Sequence, residues 1–231
     1  MKKLWSWIWR IVGALLLLLL LYQLWIFAHI AWWVKHNPST SAFMDQRLLL
    51  MQSKHPDAEL RHQWVPYAKI SNHLKRAMIA SEDAKFVDHE GFDWEGIQKA
   101  YDKNMKKGKI VAGGSTISQQ LAKNLFLSTK RTPWRKAEEV FITVMLEQMM
   151  TKQRIFEIYL NVIEWGNGVF GAEAAARNYY RVSAAQLSAA QAAKLAAMAP
   201  NPRYYDQHRE ARGMIRKTEI ILKRMNGAEI P

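Results

Sequence analysis

The chain has 231 residues, 49% hydrophobic and 23% charged, which is room for one sizeable folded domain and too apolar for a disordered chain. Its 33 Lys and Arg against 20 Asp and Glu leave a formal charge of +13, which calls for an anionic partner: nucleic acid, anionic lipid or a phosphorylated substrate. With no Cys, disulfides, thiolate metal sites and thiol nucleophiles are excluded.

The first predicted element is a membrane segment. From Ile11 to Val34 there is no Asp, Glu, Lys or Arg, and a helix of that length reaches about 36 Å, enough to cross a hydrocarbon layer of about 30 Å with tilt. Leu15 to Leu21 is unbroken Leu. Trp5, Trp7 and Trp9 before it and Trp32 and Trp33 after it suit the two membrane interfaces. A signal peptide would have a shorter apolar run and a small-residue cleavage site, and Ala28-His29-Ile30-Ala31-Trp32-Trp33 is a poor one. Lys2, Lys3 and Arg10 place the N-terminus in the cytoplasm by the positive-inside rule, with the rest of the chain on the far side. The expected division is residues 1–10 cytoplasmic, 11–34 membrane-spanning, 35–64 a membrane-proximal linker with a short helix, and 65–231 the outer domain.

Turn signals at His36-Asn37-Pro38-Ser39-Thr40 and His55-Pro56 bracket one amphipathic stretch from Phe43 to Ser53. Ser71 then caps a helix whose apolar positions Leu74, Met78 and Ile79 lead to its end at Glu82. A loop with Gly91 precedes a helix from about Trp94 to Met105, which the glycines at 108, 113 and 114 interrupt. Ile117, Leu121 and Leu125 recur at i+4 on the next helix, with Thr116, Gln120, Lys123 and Asn124 on another face. Thr132-Pro133 opens a helix to about Thr151. Further helices follow over Gln153 to Ile163 and about Ala172 to Tyr180. Ser183-Ala-Ala-Gln186 reads as a capping box opening the Ala-rich helix that ends before Pro200. No stretch alternates with period two for long, so the outer domain is expected to be all-α.

Four groups of residues could carry chemistry. Glu82 and Asp83 sit at a helix end entering a loop with Phe86, His89 and Gly91, a setting where a carboxylate can be desolvated for acid–base work, although such residues are more often simply solvated. Gly113-Gly114-Ser115-Thr116 leads into a helix N-terminus that suits an anion, without the Gly-Lys-Ser/Thr ending of a P-loop. Between Lys99 and Lys136 there are ten basic residues, among them Lys123, Lys130, Arg131, Arg135 and Lys136, and a single acid, Asp102. That cluster brackets the Gly-rich turn and favours a pyrophosphate or an anionic lipid. Arg135 and Glu139 are spaced i,i+4, which is equally an ordinary helix salt bridge; the residues alone do not choose among Glu139, Glu147 and Glu157.

Taken together, these segments resemble the family-51 glycosyltransferases, the peptidoglycan glycosyltransferases. The likeness rests on an ordered set: Glu82-Asp83-x-x-Phe86-x-x-His89-x-Gly91; Gly114-Ser115-Thr116-Ile117-x-Gln119-Gln120-x-x-Lys123-Asn124; Arg135-Lys136-x-x-Glu139; Ile155-x-Glu157-x-Tyr159-Leu160-Asn161 with Gly166; and Gly171-x-Glu173-Ala174-Ala175-Ala176 through Tyr179-Tyr180. It spans about Val65 to Tyr205, with Ser118 where Thr is common. The resemblance implies a lysozyme-like helical domain behind a single N-terminal transmembrane helix, in the bacterial inner membrane, that polymerises lipid II into β-1,4-linked glycan with inversion and release of undecaprenyl pyrophosphate. It implies Glu82 as general base and Glu139 as a residue that orients the site or holds a divalent cation, Mg²⁺ or Mn²⁺. Lys123, Arg131, Arg135 and Lys136 are implied at the pyrophosphate. Asp83, Phe86, His89, Gly114, Ser115, Thr116, Gln119, Gln120 and Asn124 are implied as substrate-site or supporting residues. The implied partners are lipid II, the growing strand, the membrane and cell-division or cell-wall synthesis proteins, with no organic cofactor and no nucleic acid. The absence of Ser-x-x-Lys and Lys-Thr-Gly argues against covalent reaction with β-lactams. Two other readings remain: a lytic murein hydrolase on the same scaffold, and a non-catalytic membrane-anchored scaffold of the division machinery.

Overall fold

The computed structural model describes every residue except Met1, Ile110, Ala112 and Arg131. The chain falls into two compact units, 1–37 and 38–231. The first is one helix, α1 (Lys2–Trp33), long and apolar enough to cross a membrane, with a mean hydropathy of 2.4 over its most apolar window. The helix starts upstream of the charge-free run, so residues 2–10, expected as a separate segment, continue it. Trp5 and Trp9 meet edge to face one turn apart, with ring centroids 5.7 Å from each other. The leucines from Leu15 to Leu21 are exposed along the middle of the helix, an arrangement that only an apolar solvent favours.

The second unit begins at Pro38 and so takes in residues 38–64 of the stretch expected as a membrane-proximal linker with a short helix. It holds ten helices among the described residues: α2 (Ala42–Gln52), α3 (Asn72–Glu82), α4 (Trp94–Lys107), α5 (Ile117–Phe126), α6 (Pro133–Met149), α7 (Lys152–Val162), α8 (Ala172–Tyr180), α9 (Ala189–Met198), α10 (Pro202–Gln207) and α11 (Arg212–Arg224). The helical class expected of the domain is what is observed. The sequence pattern missed a small sheet of strands β1 (Arg61–His62), β2 (Glu164–Gly166) and β3 (Val169–Phe170), in the order β1-β3-β2. Two- and three-residue strands are too short to show an alternation.

Two helix groups form the core. In one, α5 packs on α6 and α7; in the other, α3 packs on α9 and α11. α7 is buried almost all round through Ile155, Phe156, Ile158, Tyr159, Leu160 and Val162, as expected of a helix inside the core. The predicted stripes behave as expected: Leu74, Met78 and Ile79 on α3 and Ile117, Leu121 and Leu125 on α5 are all buried. On α9 the buried residues include Ala192, Ala193, Ala196 and Ala197, whose small side chains let α3 and α11 approach closely. Truncating Leu74 to Ala in this interior would cost about 2–5 kcal/mol.

The Ser183 capping box forms, but it caps a 3₁₀ turn over Ala184–Gln186. The Ala-rich helix is opened instead by the next Ser-x-x-Gln, Ser188 to Gln191, which makes the same reciprocal pair. The two boxes are alike in sequence, and the non-helical Leu187 between them, at φ -60 and ψ 122, ends the first turn before the second box begins. The 14-residue α4 buries Ala100 alone, while Trp94, Tyr101 and Met105 are exposed.

Candidate active site

Glu82 is the last residue of α3, and its side chain is 9% exposed. A carboxylate so placed needs donors, and it has them. Gln120 on α5 donates from Nε2 to Oε2 at 3.1 Å, and the Ser81 hydroxyl lies 3.0 Å from Oε1. Lys217 Nζ on α11 is 3.7 Å from Oε1. The orientation of the Gln120 amide is set from behind, because Tyr159 donates its hydroxyl to Gln120 Oε1 at 3.1 Å. Burial, with the Glu82 and Asp83 carboxylates adding to it, holds the Tyr159 hydroxyl well above its ordinary pKa, so it stays a donor. Asn124 Nδ2 donates to the Gln120 carbonyl at 2.7 Å, one turn along α5.

Asp83, beside the candidate base, looks the other way. Its carboxylate accepts the Ile117 N–H at 2.9 Å, satisfying an orphan donor at the start of α5 where the dipole favours an anion. It also meets His89 Nε2 at 2.9 and 3.1 Å. His89 Nδ1 accepts the Gly91 N–H at 3.1 Å, which assigns the ring proton to Nε2 and makes it the donor to Asp83. Thr116 caps α5 in a capping box with Gln119 and donates its hydroxyl to the Gly91 carbonyl at 2.7 Å. Gly91 has φ +90, and a Cβ there would come within 2.8 Å of Thr143 Cγ2 on α6, so only Gly serves. Phe86 is fully buried against Phe156, with ring centroids 5.5 Å apart. Asp83, Phe86 and His89 therefore hold the loop, and the wholly buried Phe86 ring has no surface to offer a substrate.

Beside Glu82 lies a cavity of about 520 Å³ lined by Gly113, Ser115, Gln119, Gln120, Lys123, Arg135, Lys136 and Glu139. Glu139 is buried; Arg135 Nη1 meets its Oε2 at 2.9 Å, and Lys136 Nζ pairs with its Oε1. The helix salt bridge and the site residue are thus the same group: Glu139 is a buried anion anchoring two cations at the wall. Gly114 is absent from the lining and packs against α4, where a Cβ would stand 3.0 Å from Ile97 Cα. Of the ten basic residues bracketing the turn, Lys123, Arg135 and Lys136 line the cavity, while Lys99 pairs with Glu95 on α4. Arg131 lies outside the described residues.

A second cavity, of about 410 Å³, is lined by Phe43, Asn124, Tyr159, Glu164, Asn201 and Arg203 among others, and shares Gln120 and Lys123 with the first. Lys123 Nζ lies 5.7 Å from the Phe43 ring centroid. Glu164 is ion-paired with Arg47 of α2 at 2.8 Å and approached by Arg203 at 3.7 Å, and burial outweighs both arginines to raise its pKa. Sequence reasoning missed Glu164, Arg203 and Lys217, which follow no motif spacing. Their only signal is their position on a chain that folds back to α3 and α5. The expected cation role of Glu139 has no supporting cluster: among the described residues no group of three His, Asp or Glu side chains could hold a metal.

A near-buried carboxylate next to a cation-lined cleft can do acid–base chemistry on a bound anion. The transglycosylase family model matches residues 49–226, and the chain belongs to that family. It is a glycosyltransferase. It is 74% identical to the biosynthetic peptidoglycan transglycosylase of Methylobacillus flagellatus over 96% of this chain and 97% of that one. The proteins of the same name from Laribacter hongkongensis and Dechloromonas aromatica are 70% and 62% identical, over 98% and 100% of this chain and 99% and 100% of theirs.

Proposed function

We propose that this chain polymerises lipid II into β-1,4-linked glycan strands during bacterial cell-wall biosynthesis, releasing undecaprenyl pyrophosphate. The observation that carries this reading is on α5. Gln120, which holds Glu82, and Lys123, which lines the cationic cavity, are three residues apart on one helix face and line both cavities. A proton acceptor and a leaving-group cation therefore flank one point. In the proposed step the acceptor 4-hydroxyl oxygen attacks the anomeric carbon of the lipid-linked strand, and Glu82 takes the hydroxyl proton. The bond to the diphosphate oxygen breaks, and its electron pair leaves with the diphosphate, inverting the carbon. Lys123, Arg135 and Lys136, with Arg131, neutralise the charge that develops there.

A divalent cation, Mg²⁺ or Mn²⁺, is proposed to stimulate the reaction by travelling on the diphosphate oxygens, since both oxygens of Glu139 are engaged by Arg135 and Lys136. The apolar α1 supports a single-pass anchor in the cytoplasmic membrane with its N-terminus inside, which keeps the domain at the surface holding the prenyl tail of the substrate. Cell-wall synthesis or division proteins are the proposed protein partners. The test is incubation of the detergent-solubilised chain with labelled lipid II, with and without divalent cation. Muramidase-sensitive polymer is expected. Cleavage of finished glycan without polymerisation would establish the hydrolase instead, and neither activity would leave the scaffold.

A further inference from the structure

α11 brings to Glu82 a residue that belongs to none of the sequence motifs. Lys217 stands in the middle of α11, its side chain 32% exposed, with Nζ 3.7 Å from Glu82 Oε1. Burial alone lowers its pKa, and Glu82 is the carboxylate that works against this. A partly desolvated ammonium is stable in such a place only opposite an anion. The same holds for Glu82, whose other close contacts are the neutral Gln120 amide and Ser81 hydroxyl.

Among the described residues, no salt bridge other than that with Lys217 reaches this oxygen. On α7 the nearest titratable group is Tyr159, held protonated. Asp83, next in the chain, is committed to His89 and the Ile117 N–H. α9 carries one titratable residue, Lys194, which pairs with Glu210 at 2.7 Å, and the 3₁₀ turn Met225–Gly227 carries none. On α5, Lys123 faces the two cavities.

We propose that Lys217 is a positioning residue for the base: its ammonium keeps the Glu82 carboxylate ionised and seated between Gln120 and Ser81 to take the proton of the acceptor hydroxyl as that oxygen attacks the anomeric carbon. This rests on reading Glu82 as the base. Removing the cation makes the ionised form harder to hold, so a larger share of enzyme is protonated and idle at a given acid pH.

The experiment is kcat/KM for lipid II polymerisation by the full-length chain in detergent, measured between about pH 5 and pH 9 where the limbs of a general-base profile fall. Lys217→Met is expected to move the acid limb up by about one pH unit, the lower end for loss of an adjacent opposite charge. Lys217→Arg, which keeps the charge, is expected to restore the wild-type limb. An acid limb unmoved in Lys217→Met, or moved equally in Lys217→Arg, overturns the proposal. Lys217→Gln serves as a second neutral side chain if Lys217→Met does not fold; loss of the melting transition in both would assign Lys217 to the fold and also overturn it. Turnover retained in Glu82→Gln would instead remove the base, and with it the reading beneath this one.

Discussion

At the junction of α3, α5 and α7 the side chains hold one another: Glu82 to Gln120, Gln120 to Tyr159, Asp83 to His89 and to the start of α5. Along the rim from α4 to α6 the pattern is different. There Arg135 and Lys136 share one carboxylate at the cavity wall, and α4 buries Ala100 alone. The contrast follows from what each region is proposed to handle. Proton transfer needs a fixed geometry on the scale of one hydrogen bond, whereas a diphosphate on a long lipid needs charge and room.

The largest test of this contrast is Glu82→Gln, which keeps the shape of the side chain, exchanges one acceptor oxygen for an NH₂ and removes its basicity. Polymerisation should fall by about 10³-fold, within the range for a general base, while the melting temperature holds. Turnover within a few-fold of wild type would break the assignment. Next comes Lys123→Ala on the same helix, expected to lower kcat by about 10²-fold, the loss typical for one charge-stabilising donor. Its melting transition should be unchanged. A variant that melts early but turns over normally would move Lys123 from the leaving group to the fold.

Asp83→Asn inverts that expectation. It weakens the link to His89 and to the α5 N-terminus in one step, and should destabilise the domain by about 1–3 kcal/mol, as for a buried hydrogen-bonded charge. Denaturant unfolding reads this directly, and an unchanged midpoint would show that the loop does not lean on Asp83. The smallest effect concerns the second cavity. Because burial raises the Glu164 carboxyl above its ordinary value, the folded chain binds that proton more tightly than the unfolded one. Its contribution to stability is therefore greatest at acid pH and declines as pH rises from the unfolded value through the folded one. The advantage of wild type over Glu164→Gln should accordingly shrink with rising pH. An advantage that grew would mean the Arg47 pair outweighs burial.

Much of this was legible in the sequence, for local reasons. The Thr116–Gln119 capping box and the i+4 stripes on α3 and α5 are fixed by residues within a turn or two, so spacing alone finds them. Gln120 and Lys123 could be placed on one face in the same way. What spacing could not reach were the contacts that close over long sequence separation. Lys217 lies 135 residues from Glu82 and sits beside it only because the alanines of α9 let α3 and α11 come together. Asp83, Phe86 and His89 share a motif with the base, yet the motif does not say which of them point inward; packing against Phe156 and the α5 N-terminus decides that.

The Gln120 amide has one more consequence. With Tyr159 donating to its oxygen, the amide cannot turn over, and its NH₂ must face Glu82. Ser81 and Lys217 likewise offer hydrogens to the other carboxylate oxygen. A proton arriving on Glu82 therefore meets the Gln120 NH₂ at one oxygen and the Lys217 ammonium at the other, where the Ser81 hydroxyl accepts it only by turning its own hydrogen to the Ala196 carbonyl, 3.3 Å away. On the proposed reading of Glu82 as the base, a carboxylate ringed by such donors holds a captured proton only loosely, so the group that takes the acceptor proton is also quick to give it up.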